Sequence, residues 1–142
     1  MARHENSIVI EAPLEEVFAY VNEPRTLPEW MAGMIETRNV IGTGEGQQYE
    51  WTYKMMGIQL RGQNVVVEYD HNQRATHQSI GMISSTWTNT VEPEASGTKL
   101  TFVVDYSIPV PVFGKFAESV TLRRNERDMR SALLNVKETL EA

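Results

Sequence analysis

The chain has 142 residues, of which 41% are hydrophobic and 23% charged, and it carries a net charge of −6. That balance excludes global disorder and argues against a phosphate-backbone partner. It contains no cysteine, so disulfides, thiolate nucleophiles and cysteine-ligated zinc are excluded.

In chain order, Ser7 to Glu11 is short and β-branched and predicts a strand, stopped at Ala12-Pro13. Pro13 suits the first turn of a helix, and Glu15 and Glu16 favour its positive end. Leu14, Val17, Phe18 and Val21 give that helix an apolar face, and Asn22 and Pro24 end it. Pro28 opens one further turn carrying Trp30 and Met31.

The period then changes to two. Strands are predicted over Met34 to Ile41, Gln48 to Met56, Ile58 to Tyr69, Arg74 to Ile80, Ser84 to Val91 and Thr98 to Ile108. The clearest alternation sets Tyr49, Trp51, Tyr53 and Met55 on one face. In the last strand Leu100, Phe102, Val104 and Tyr106 share a face. Glu92-Pro93 ends one strand, and Pro109 and Pro111 end the last. The rest is helical. Leu122, Met129, Leu133, Val136 and Leu140 form its apolar stripe, and a break is expected near Gly114 to Ala117 because Phe113, Phe116 and Val120 point the other way.

Six strands joined by short turns form an antiparallel meander, with the first strand as a seventh. Seven strands at about 4.8 Å spacing span over 30 Å, whereas one helix is about 10 Å wide. The sheet must therefore curl around the helix, and its concave side is not filled. Trp51, Tyr53, Trp87, Phe102 and Tyr106 are expected to face inward, which describes an apolar small-molecule pocket with polar tips. The alternative is that these rings only fill a core. Met31, Met55 and Met56 suit either an adaptable pocket wall or ordinary gap filling. Asn125 and Glu126 interrupt the helix stripe, so they reach either solvent or the hollow.

The segments "SIVIEAPLEEVFAYVNEPRTLPEWM", "EASGTKLTFVVDYSIPVP" and "RSALLNVKETLEA" resemble the SRPBCC (START-like) superfamily, and most closely its polyketide cyclase/dehydrase-type members. The resemblance runs from about Ser7 to Leu140. It rests on the strand–Ala-Pro–helix opening, on Trp30 and on the Gly97-Thr98 turn. It implies an α+β helix-grip fold: a seven-stranded curved antiparallel sheet wrapped around a long C-terminal helix, with two short helices after strand 1. It also implies a single domain over residues 1–142 with an internal cavity for a lipid- or polyketide-like molecule. It does not specify a reaction.

The candidate ligand-binding residues are Trp30, Met31, Trp51, Tyr53, Met55, His77, Trp87, Phe102, Val104, Tyr106, Phe116, Asn125 and Met129. If the cavity catalyses cyclisation or dehydration, Tyr53, His77, Tyr106 and Glu126 are the acid–base candidates. His77 reads more readily as a plain surface or hydrogen-bonded histidine than as a base, on a strand whose inward face the pattern leaves open. His4 and His71 read as solvated. The histidines lack metal-ligand spacing, no Gly-x-Ser-x-Gly elbow occurs, and Gly42, Gly44 and Gly46 read as a hairpin loop rather than a phosphate cradle. No metal and no cofactor are therefore expected. The expected partner is a small hydrophobic ligand, with no nucleic acid, no stable membrane insertion and, as one option, a homodimer. The absence of an apolar run near 18 residues points to a cytoplasmic protein. A protein–protein adaptor with a vestigial hollow is the third reading, and it requires a sizeable exposed apolar patch.

Overall fold

The computed structural model describes residues 2–55, 57–81, 84–107 and 110–142, with side chains described for 3–54, 57–81, 84–106 and 126–142. The elements are β1 (Ala2–Ile10), α1 (Leu14–Val21), a 3-10 turn (Pro24–Thr26), α2 (Leu27–Trp30), β2 (Met34–Ile41), β3 (Gln48–Met55), β4 (Ile58–Asp70), β5 (Arg74–Gly81), β6 (Ser84–Glu94), β7 (Gly97–Ser107) and α3 (Val110–Glu141). They form one seven-stranded antiparallel sheet in the order β1-β7-β6-β5-β4-β3-β2, curved around α3 in a helix-grip fold.

The opening of the chain folds as its residues dictate. Pro13 is extended, with φ −62° and ψ 143°, and starts α1. Val17, Phe18 and Val21 turn into the core. Where β7 begins, the backbone passes so close to β1 that a Cβ on Gly97 would stand 2.1 Å from the Ile10 carbonyl oxygen. Thr98 Oγ1 then donates to the Ala12 carbonyl at 2.8 Å. The Gly-Thr pair thus locks the end of β1 and the start of α1 onto β7.

Three expectations about element ends are corrected. β1 starts at Ala2 rather than Ser7, pairing continuously from Ala2 opposite Tyr106 to Ile10 opposite Thr98. Its first half is polar because β1 is an edge strand with one face in water, which hides it from a propensity reading. β6 runs through Pro93 to Glu94. The Val91 N–H bonds the Gln73 carbonyl at 2.9 Å, so Pro93, two residues on, lacks its N–H on the side where β5 has ended. α3 is continuous from Val110, without a break at 114–117. Pro111 falls in its first turn, where backbone N–H groups have no intrahelical acceptor.

The two sheet edges are guarded differently. Beside β1, the C-terminal end of α3 supplies side chains to free backbone groups. Lys137 Nζ donates to the Val9 carbonyl at 2.9 Å, and the Glu11 N–H donates to Glu141 Oε2 at 2.8 Å. Lys137 and Glu141 pair at 2.6 Å. At the other edge β2 breaks register twice against β3, and Asn39 adopts φ 54°. Such irregularities discourage strand addition.

Candidate functional site

The core between sheet and α3 is apolar but not full. Met129, Ala132, Leu133 and Val136 of α3 are buried against it. Trp30 of α2 clusters with Phe102 and Trp87 of the sheet, with centroids 5.4 Å apart for Trp30–Phe102 and 5.0 Å for Trp87–Phe102. Beside this cluster lies a cavity of about 150 Å³, the size that holds about one aromatic ring in an apolar protein interior.

The sheet register explains the space. Inward residues form cross-strand rows. One row is Tyr106, Ser85, Ser79, Asn64 and Tyr49, each directly opposite the next. The adjacent row is His4, Val104, Trp87 and His77. In the first row two serines sit between large side chains, so the floor is low in the middle. Trp51 lies flat across β4, and a Cβ on Gly62 would meet its ring at 2.3 Å.

Of the ligand-binding candidates, Trp30, Met31, Trp51, Tyr53, His77, Trp87, Val104, Tyr106 and Met129 line the cavity. Phe102 does not: it is fully buried behind Trp30 and Trp87 and belongs to the core. Met55, Phe116 and Asn125 lie outside the residues whose side chains are described. Glu126 is exposed and does not line the cavity. His77, whose facing was open, is inward and only 6% exposed. His4, expected in solvent, lines the cavity because β1 extends back to Ala2; it stacks on Tyr106 with centroids 5.8 Å apart.

Polar lining residues that sequence reasoning missed, Asn22, Tyr49, Asn64 and Asn89, form one chain through His77. Asn64 Nδ2 donates to Tyr49 Oη at 2.8 Å. Tyr49 Oη and His77 Nδ1 are 3.1 Å apart, and His77 Nε2 is 2.9 Å from Asn22 Oδ1. Asn22 and Asn89 exchange two amide bonds at 3.0 and 2.8 Å, and Asn22 Nδ2 also donates to the Phe18 carbonyl at 2.9 Å. Because the carbonyl can only accept, the Asn22 amide orientation is fixed, and its oxygen faces His77. His77 therefore carries its proton on Nε2, and Nδ1 accepts from the Tyr49 hydroxyl.

Burial sets the charge state of this chain. It pushes the His77 imidazole down to about 4 and the Tyr49 phenol up to about 12, the latter opposed by the bond from Asn64. Both groups are neutral around pH 7. The arrangement presents the cavity with an uncharged, hydrogen-bonded wall. No buried side-chain nitrogen or oxygen among the described residues lacks a partner.

Comparison with known proteins agrees with this geometry. The family model described as polyketide cyclase / dehydrase and lipid transport matches residues 1–141. Among solved structures, TTHA0849 from Thermus thermophilus is 20% identical, covering 98% of this chain and 97% of its own, with a TM-score of 0.85. The Zhui aromatase/cyclase from Streptomyces is 12% identical, covering 99% and 93%, with a TM-score of 0.82. The di-domain aromatase/cyclase StfQ from the steffimycin biosynthetic pathway is 15% identical, covering 98% of this chain and 50% of its own, with a TM-score of 0.80. No curated protein matches. No helix among the described residues is long and apolar enough to cross a membrane. With its fold, its cavity and a family model spanning nearly its whole length, this chain belongs to the polyketide cyclase/dehydrase and lipid-transport family of the SRPBCC superfamily.

Proposed function

We propose that this protein binds a small hydrophobic or aromatic molecule, lipid- or polyketide-like, in the cavity between sheet and α3. One observation carries the reading. The cavity of about 150 Å³ is lined by all three tryptophans of the chain, Trp30, Trp51 and Trp87. A core built only for stability would close such a space, because an unfilled volume forfeits packing energy. Native mass spectrometry of the purified protein tests it: a co-purified or added small apolar molecule held at one per chain is expected. A protein that retains none from a hydrophobic panel would refute it. A cytoplasmic location, expected from the sequence, and a homodimer, which the sequence leaves as one option, complete the proposal, and neither bears on the cavity.

The second reading is a cyclase/dehydratase-type enzyme using the same cavity. It is favoured by the convergence of Tyr49, His77, Asn22, Asn64 and Asn89 on the lining. An efficient acid or base titrates near the working pH, whereas His77 sits at about 4 and Tyr49 at about 12. That pair is better suited to shaping the wall than to moving protons. Catalysis would fall to Tyr53, Tyr106 or Asp128, which also line the cavity. The adaptor reading draws least support: among the described residues the exposed large apolar side chains, Val9, Ile35, Ile41, Ile58, Val67, Ile80 and Leu134, are scattered over five elements.

A further inference from the structure

The polar groups of the cavity leave an unbalanced remainder. Asn64 Oδ1 accepts from Trp51 Nε1 at 2.8 Å and from Ser79 Oγ at 2.6 Å. The indole N–H can only donate, so the amide orientation is fixed: the Ser79 hydroxyl donates to the same oxygen and Nδ2 faces Tyr49 Oη. An amide nitrogen carries two hydrogens, and one of those on Asn64 has no partner among the described residues. The same holds for the second amide hydrogen of Asn89, whose Nδ2 bonds only Asn22. Ser85, opposite Ser79 in the register, lines the cavity with a hydroxyl that bonds no described side chain. Asn64, Asn89 and Ser85 thus each hold one donor that no described residue takes up.

Charge narrows the choice further. Among the described residues the lining contains no lysine or arginine; it contains one carboxylate, Asp128, and two histidines, His77 and His4, the latter stacked on Tyr106. His77 is neutral and already engaged at both nitrogens. A ligand carboxylate brought over Ser79 would shed its water without meeting a lysine or arginine among the described residues, an unfavourable transfer.

We propose that Asn64 and Ser85, flanking Ser79 across three adjacent strands, form a donor floor that selects uncharged ligands carrying an acceptor oxygen, a carbonyl or an ether, on the edge of an apolar ring. The inference rests on the binding reading above and deepens it, naming where the ligand's polar group lies. Ser79 itself cannot serve, because its proton is committed to Asn64. The ring then lies among Trp30, Trp51 and Trp87, and the oxygen lies over Ser79 between the two donors.

Three single-ring probes of nearly equal size test it on the full chain: acetophenone, ethylbenzene and benzoate, titrated by NMR. Acetophenone and ethylbenzene are expected to bind, and benzoate to bind at least about tenfold more weakly than acetophenone. Ser85→Ala is expected to weaken acetophenone about fivefold, the worth of one neutral hydrogen bond, and to leave ethylbenzene unchanged. On the unmodified protein, the infrared carbonyl stretch of bound acetophenone is expected at lower frequency than in an apolar solvent. If both neutral probes bind but Ser85→Ala treats them alike and the stretch is unshifted, the donor floor is wrong and the cavity reading stands. Benzoate binding as tightly as acetophenone overturns the charge selection. If none of the three binds, the binding reading itself fails, and this inference with it.

Discussion

Tyr49 and His77, 28 residues apart on β3 and β5, hold each other through a 3.1 Å contact between Oη and Nδ1. The direction of that bond follows from its neighbours, since Asn22 Oδ1 accepts on the far side of the ring. Nitrogen NMR of the imidazole is expected to show the Nε2–H tautomer. Tyr49→Phe strips Nδ1 of its donor and leaves an Asn64 amide hydrogen buried without an acceptor. A loss of about 1–3 kcal/mol is expected in urea unfolding.

The same pair dictates a pH profile. The folded His77 titrates at about 4 and the unfolded one near 6.5. Between these values the unfolded chain binds a proton that the folded chain refuses, so stability is full above about pH 6.5 and falls as the pH drops toward 4. The total is about 3 kcal/mol. Tyr49 acts at the other end. Its folded value of about 12 exceeds the ordinary 10, so stability declines as the pH rises from 10 toward 12. His77→Gln is expected to remove the acid-side slope, whatever its effect on stability at pH 7. Unfolding curves of both proteins from pH 4 to pH 8 check this.

Gly62→Ala places a methyl 2.3 Å from the Trp51 ring and 2.9 Å from the Ile80 carbonyl oxygen. Neither neighbour can yield easily, since one is a ring held by its bond to Asn64 and the other is backbone. A destabilisation of about 1–3 kcal/mol is expected. The Trp51 indole is also expected to leave its seat, seen as loss of the protected Trp51 Nε1–H signal.

The Lys137–Glu141 staple on β1 is a smaller matter for stability and a larger one for the edge. The Glu11 N–H, with Lys137 beside it, holds the Glu141 carboxyl below its usual range. Replacing both by alanine is expected to leave the urea unfolding midpoint nearly unchanged, as exposed ion pairs contribute little. Hydrogen exchange at the Glu11 amide, which loses its acceptor, is expected to accelerate.

Much of this architecture was legible in the sequence because period-two patterning is strong where one face of a strand is buried. Trp51 and Tyr53 on β3, and Val104 and Tyr106 on β7, lie on the cavity side as their alternation predicts. The polar half of the site was not legible. Asn22 reads as a helix stop, and it does cap α1 through its N–H to the Phe18 carbonyl, but its side chain also carries the His77–Asn89 junction. Asn64 and Asn89 are poor strand formers standing on inward positions. That mismatch is the available signal, since an amide is buried in a strand only where something bonds it. Their partners lie 15 and 67 residues away along the chain, beyond any local pattern. His4 was missed because β1 owes its first half to pairing with β7 rather than to its own residues.

The most direct test uses the tryptophans, since all three line the cavity. In a titration of the full chain with a neutral single-ring ligand, followed by proton–nitrogen NMR, the indole N–H signals of Trp30, Trp51 and Trp87 are expected to shift together along one saturable isotherm. Signals from outward residues such as Gln59 and Gln78 are expected to stay fixed. Saturation with ligand that leaves all three indoles unmoved would contradict the account.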